Sequence, residues 1–226
     1  MSFKEFIREL DGERIEGELV RTFLYSIILS AITFGIIYFL FLSQYIDLQK
    51  SGLYVILTLL SIAFIVPVAK QVRTYNALTC MGGMMVGMTI GMISGFLIGF
   101  YIGATNGMFI GSLAGMITGI FLGTWLGSCC GIMGFLEGIM AGFMGGLMGA
   151  MSAVMMINDY LEVASIIVFI VSAIILIGLK YMIYIETKPL KRDRKLSSWL
   201  TILLSIAFTI FISLVIAFAP KSLLVQ

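Results

Sequence analysis

The chain has 226 residues, of which 60% are hydrophobic and only 12% charged, with a formal net charge of +2. Soluble domains carry about 25% charged residues and could not hide so much apolar surface, so the composition excludes a cytosolic globular protein. Histidine is absent, which removes His-ligated haem, His-built zinc sites, Ser-His or Cys-His catalysis and imidazole proton relays; the small net charge makes no case for a nucleic-acid partner.

Residues 1–21 mix both charge signs, unlike a cleavable signal. Ser2 and Glu5 fit a capping box, and Phe3, Phe6, Ile7 and Leu10 follow at helical spacing until Asp11-Gly12. This predicts a short amphipathic helix on the inner membrane surface. A transmembrane helix needs about 20 apolar residues, and residues 22–220 read as a single transmembrane domain followed by a short tail, 221–226. Seven spans are expected, near 22–46, 53–72, 81–103, 107–127, 131–156, 163–185 and 198–219. These runs lack the period-2 alternation of a transmembrane barrel, so the expected class is an all-α polytopic membrane protein.

Charge predicts the orientation. With the N-terminus cytoplasmic, twelve of the 14 Lys and Arg residues fall inside, Arg73 and Lys180 among them, and only Lys50 and Lys221 fall outside. An odd number of spans then places the C-terminus outside.

Spans three to five carry the clearest pattern. Glycine recurs at every fourth residue from 83 to 131, and a second register runs through Gly134, Gly138, Gly142 and Gly146 to Ala150. Each glycine costs a soluble helix about 1 kcal/mol against alanine. In lipid the same spacing lets backbones approach closely. The expectation is a glycine-ladder three-helix core, surrounded by spans one, two, six and seven as a lipid-facing shell rich in Ile, Leu, Val and Phe. The Gly-x-x-x-Gly faces could also serve a homo-oligomer or a membrane-complex partner.

Methionine is the second pattern, with 16 in all. On span five, Met133, Glu137, Met140, Met144, Met148, Met151 and Met155 fall within an arc of roughly 80°, opposite the glycines. On span three, Met81, Met84, Met85, Met88 and Met92 share an arc of roughly 100°. Both stripes begin at the cytoplasmic side, where Cys80, Cys129 and Cys130 also lie. The cytosol is reducing, which argues against a disulfide framework. Soft thioether and thiolate ligands favour Cu(I), and neutral thioethers can pass a monovalent ion along a dry path. The expected metal set is Cys80, Met84, Met88, Met92, Cys129, Cys130, Met133, Glu137, Met140 and Met144, with the stripes turned inward to share an ion. Methionine also fills irregular gaps, so packing alone explains the same stripes.

Glu137 is the only acidic residue well inside an expected span. A charged group there costs about 3 kcal/mol or more, which marks it for proton coupling, metal charge balance or a neutral hydrogen bond. Thr89, Ser94, Thr118 and Thr124 are expected to bond their own helix backbones.

Met84-x-x-x-Met88-x-x-x-Met92 and Met140-x-x-x-Met144-x-x-x-Met148, beside Gly-x-x-x-Gly helices, resemble the membrane core of the Ctr-type copper transporters. The resemblance implies pore thioethers at Met84, Met88, Met140 and Met144. That family has three spans and a methionine-rich outer tail, which this chain lacks.

The functional expectation is Cu(I) transport or membrane copper delivery. The alternatives are a non-catalytic glycine-zipper scaffold or assembly subunit, and a proton- or cation-coupled transporter centred on Glu137. Enzymatic activity is not expected, since the spans hold no nucleophile–base pair, phosphate loop or paired carboxylates.

Overall fold

A computed structural model describes residues 15–37, 39, 48–74, 80–128, 131–187 and 198–218. Among the described residues there are seven long helices and no strand: α1 (Ile15–Ile37), α2 (Leu48–Thr74), α3 (Cys80–Asn106), α4 (Met108–Gly127), α5 (Gly131–Met155), α6 (Leu161–Thr187) and α7 (Ser198–Phe218). Apolar runs of this length fold as helices because backbone polar groups in hydrocarbon must be satisfied within the segment. Five stretches are long and apolar enough to cross a membrane: Gly52–Arg73, Met81–Asn106, Met108–Gly127, Gly131–Met155 and Leu161–Ile183. The shorter stretches Phe23–Ile37 and Ile202–Ile216 are also apolar. The chain is an all-α polytopic membrane protein. Residues 1–14 of the expected interfacial helix and the tail 221–226 lie outside the described residues.

The tightest packing joins α3, α4 and α5. Helix α3 runs antiparallel to α4, and α4 antiparallel to α5, so α3 and α5 are parallel. Their small residues meet in successive layers. Gly87 faces Gly127 and Gly134, and Gly91 faces Gly123 and Gly138. Gly119 then lies against Gly95 and Gly142, and Gly115 against Gly99 and Gly146. In the last layer Gly103 touches both Gly111 and Ala150. A methyl group added at Gly119 would stand 2.9 Å from the Cα atoms of both Gly142 and Gly95. One added at Gly115 would stand 2.8 Å from the Gly99 Cα. No side chain but hydrogen fits at these positions. The backbones gain dispersion and Cα–H···O contacts instead, the interactions that hold helices together where lipid removes the hydrophobic effect.

A single residue links α3 to α4. Gly107 adopts φ 104°, which an L side chain rarely takes. Its N–H donates to the Gly103 carbonyl and its own carbonyl accepts from the Gly111 N–H, both at 3.0 Å. The two helical ladders therefore share this residue, and Ala104–Asn106, expected to form the turn, are helical. Asn106 fastens the hairpin to α7. Its Nδ2 donates to the carbonyls of Val215 (3.4 Å) and Ile216 (3.3 Å), in the last turn, where carbonyls lack intrahelical partners.

The remaining helices do not encircle this unit. Helices α2, α6 and α7 lie against α3, and α1 packs on α2 and α7. The larger side chains of α3 that face them, Val86, Ile90, Leu97, Phe100 and Tyr101, form the apolar core with Val68 and Val72 of α2 and Leu176 and Ile183 of α6. The expected lipid-facing shell is thus corrected in two ways. Helix α2 is interior, with Ser61, Ala63 and Val68 fully buried, because its neighbours cover it on several sides. Helix α5 packs on α3 and α4 but on no other helix to a comparable extent among the described residues, so its outer face is bare.

At one end of the bundle, Arg73 clamps α2 to α4. Its Nη2 donates to the Trp125 carbonyl at 2.9 Å, and its guanidinium lies 4.8 Å from the Trp125 ring centroid, a cation–π contact at the negative end of the α4 dipole. At the same end the Glu186 carboxyl of α6 occupies the space over Gly82, in the first turn of α3, where free backbone N–H groups favour negative charge.

Gly119→Ala and Gly142→Ala should each lower the unfolding free energy by about 1–3 kcal/mol, the range for overpacking a filled core. Gly35 and Gly178 have nothing within 4 Å of an added methyl, and Gly→Ala there should be neutral or raise stability by up to about 1 kcal/mol. Reversible unfolding in detergent micelles measures both pairs.

Candidate functional site

The glycine faces of α3 and α5 decide where their other residues point. Because the smallest side chains take the inner positions, the thioethers opposite them must face outward. Met140, Met144, Met148, Met151 and Met155 are exposed on α5, as are Met81, Met85, Met88 and Met92 on α3. The expectation of inward-turned stripes is corrected on this point, and the reason is geometric: two backbones in van der Waals contact leave no lumen for a methionine between them.

The two stripes meet along the α3–α5 seam. Gly145 packs directly on the backbone of Met92, and Gly149 on that of Phe96. Gly91 sets its Cβ position 3.2 Å from the Gly138 carbonyl. Met92 is therefore level with residues 139–145, which include Met140 and Met144. One turn earlier on both parallel helices, Met88 comes level with Glu137 and Met140. The structure thus gathers five of the expected residues, Met88, Met92, Glu137, Met140 and Met144, on one outward surface. Met133 lies on α5 one turn before Glu137 and is 65% exposed. Met84 is half-buried on α3. Cys129 and Cys130 lie outside the described residues, as does the Cys80 side chain. Among the described residues no group of three or more His, Cys, Asp and Glu side chains is placed to hold a metal ion.

Glu137 is half-buried on this surface. Helix α5 has 25 residues and a length of about 37 Å. Glu137 lies about 9 Å from its midpoint, inside a hydrocarbon layer about 30 Å thick. Between Arg73 and Asp159 it is the only Asp, Glu, Lys or Arg in the sequence, so α3 and α4 offer it no basic partner.

The hydroxyl groups nearby are occupied as expected. Thr89 donates to the Met85 carbonyl (2.7 Å), Ser94 to Ile90 (2.6 Å), Thr118 to Ala114 (2.9 Å) and Thr124 to Ile120 (2.7 Å). Each hydroxyl donates within its own helix, to the carbonyl four residues back.

The molecule contains its own comparison for this surface. Helix α6 also presents a bare face, built from Val163, Ile166, Ile167, Ile170, Val171 and Ile174. Ile174 at 63% exposure is as open as Met140 at 64%. From Val163 to Ile174 the α6 face is branched and aliphatic, whereas the α3–α5 face sets methionines and one carboxyl among Leu136 and Phe143. Sequence reasoning found the residues of this surface but not its outward aspect. The signal was present in the wheel itself, since methionines set opposite a packing face must leave the bundle.

No family model, no curated protein and no solved structure matches the chain.

Met88→Leu, Met92→Leu, Met140→Leu and Met144→Leu remove sulfur at exposed positions and nearly conserve volume. Each should change the unfolding free energy by no more than about 0.5 kcal/mol, as surface substitutions do. Detergent unfolding of the single variants checks this and establishes that functional assays on them report chemistry, not misfolding.

Proposed function

We propose that the protein is a non-catalytic membrane assembly subunit: a seven-span helical body, N-terminus cytoplasmic and C-terminus outside, whose glycine-ladder core holds the α3–α5 surface rigid for association with another membrane chain. One observation carries this reading. The α3–α5 face is as open as the aliphatic face of α6 but carries a row of methionines and one carboxyl, with Leu136 and Phe143 among them. Lipid tails are served by the Ile and Val surface. Methionine is the side chain of adaptable binding surfaces, and a carboxyl at this depth is expensive against lipid. The charge bias of the loops supports the orientation, with Arg73 and Glu186 at one end, and Asp159 in the turn and Glu162 in the first turn of α6 at the other.

The test is assembly state in a native-like bilayer. Extraction in lipid nanodiscs followed by native mass spectrometry should give a complex larger than one chain. Met140→Trp and Met144→Trp, which enlarge the surface without touching the glycines, should dissociate it by at least about tenfold, a loss of about 1.4 kcal/mol. A monodisperse single chain with no companion would overturn the reading.

A second reading is Cu(I) handling, and the alignment of Met88 and Met92 with Met140 and Met144 favours it. Neutral thioethers at successive turns suit a soft monovalent ion. Titration of the purified protein with Cu(I) or Ag(I) should then show binding that the four-leucine variant loses. Equal binding by both proteins would remove this reading and leave the first intact.

A further inference from the structure

We propose that the inner end of the α2–α6 seam binds the phosphate of an anionic phospholipid from the cytoplasmic leaflet, held by the Lys180 ammonium and the Gln71 side-chain amide.

Two polar groups inside the spans lack partners. Gln71 of α2 is 1% exposed, and neither its Nε2 nor its Oε1 has a hydrogen-bond partner. Lys180 of α6 is half-buried within the apolar stretch Leu161–Ile183, and it makes no ion pair or hydrogen bond among the described residues. Both conditions are costly, since a buried amide without a partner loses its hydration and an ammonium in a span has no counter-charge. Native proteins leave few such groups, and a ligand is one of the things that satisfies them.

The register of the two helices brings the pair together. The Phe64 and Phe169 rings meet edge to face at 5.7 Å. Earlier on both helices, Tyr54 lies within electrostatic reach of Glu162, so α2 and α6 run parallel. Gln71 follows Phe64 by two turns and Lys180 follows Phe169 by three, each within about 20° of its phenylalanine. Both side chains therefore enter one seam, and their levels along it differ by about 6 Å, a step that a single phosphate group spans.

The seam has a bilayer side. Helix α1 meets the far edge of Phe64 through Phe23, at 4.8 Å, but packs on α6 to no comparable extent among the described residues. On α6, Lys180 stands between the buried row of Leu176 and Ile183 and the exposed row of Ile170 and Ile177. It is the outer member of the pair, with the amide behind it. The charges nearest this end are engaged elsewhere: Arg73 on the Trp125 carbonyl of α4, and Glu186 over Gly82 of α3.

The chemistry of the two groups selects the ligand. One uncompensated ammonium calls for an anion, and the loop charges put this end of α6 on the cytoplasmic side, where headgroup phosphates lie within the reach of a snorkelling lysine. Phosphate oxygens accept from Lys180 Nζ and Gln71 Nε2, and a headgroup hydroxyl, as in phosphatidylglycerol, donates to Gln71 Oε1.

The experiment uses the full chain in nanodiscs of phosphatidylcholine with and without phosphatidylglycerol. Native mass spectrometry should show phosphatidylglycerol retained under activation that strips phosphatidylcholine. Lys180→Met should weaken that retention at least about fivefold, the share of one lysine at an anionic surface. Gln71→Leu should weaken it about threefold, and Lys180→Arg should keep it. Lys191→Met removes the same charge from the inner loop and should leave it unchanged. Phosphatidylglycerol should also raise the Tm of the unmodified chain and not that of Lys180→Met, while both fold equally well in phosphatidylcholine alone. Equal retention by the unmodified chain and Lys180→Met, or an equal loss in Lys191→Met, overturns the proposal. Displacement of the lipid by millimolar inorganic phosphate also overturns it, because the occupant is then a soluble anion.

Discussion

Backbone contact between helices governs this molecule. At Gly119, Gly115 and their partners the space beyond Cα is already filled by another main chain. In a bilayer that contact replaces the hydrophobic effect as the source of cohesion, because lipid tails are as apolar as any side chain they exchange for. Its consequence extends beyond α3, α4 and α5. Three axes drawn this close exclude every larger residue from the interior of the unit. The methionines of α3 and α5 therefore decorate its perimeter, and the large apolar side chains of α3 are left free to seat α2 and α6.

The bundle that results is asymmetric. Helix α3 is enclosed along its second half, with Phe100, Tyr101 and Ile102 inaccessible, glycine on one flank and a conventional aliphatic core on the other. Helices α1, α2, α6 and α7 gather on that second flank, braced by polar contacts: Arg73 on Trp125 and Asn106 on the final carbonyls of α7 at the ends, and Ser26 facing Ser205 at 3.4 Å between α1 and α7 at mid-helix. Helix α5 stands at the opposite rim.

Much of this could be read from residue order. The every-fourth-residue glycines identified which three helices draw together, because no other role for them in a helix offsets their cost. Rotation per residue alone gives a methionine arc on α3 and another, with Glu137, on α5, but both were expected to turn inward, and the structure instead leaves Met88, Met92, Met140 and Met144 exposed. What periodicity does not encode is which neighbours cover a given face. The aliphatic richness of α2 reads the same whether lipid or protein surrounds it, so its burial could not be told from composition. The parallel register that levels Met92 with Met140 and Met144 depends on layer-by-layer contacts between helices far apart in sequence.

The one-residue junction at Gly107 has a mechanical meaning. With the hydrogen-bond ladder handed from α3 to α4 through a single glycine, there is no slack with which one helix could slide lengthwise past the other. A screw or piston displacement of α3 against α4 would have to rupture both ladders and grind glycine against glycine along the whole contact. The α3–α4 hairpin is thereby held in one axial register, while its aliphatic flank meets α2, α6 and α7 through branched side chains instead of backbone contacts.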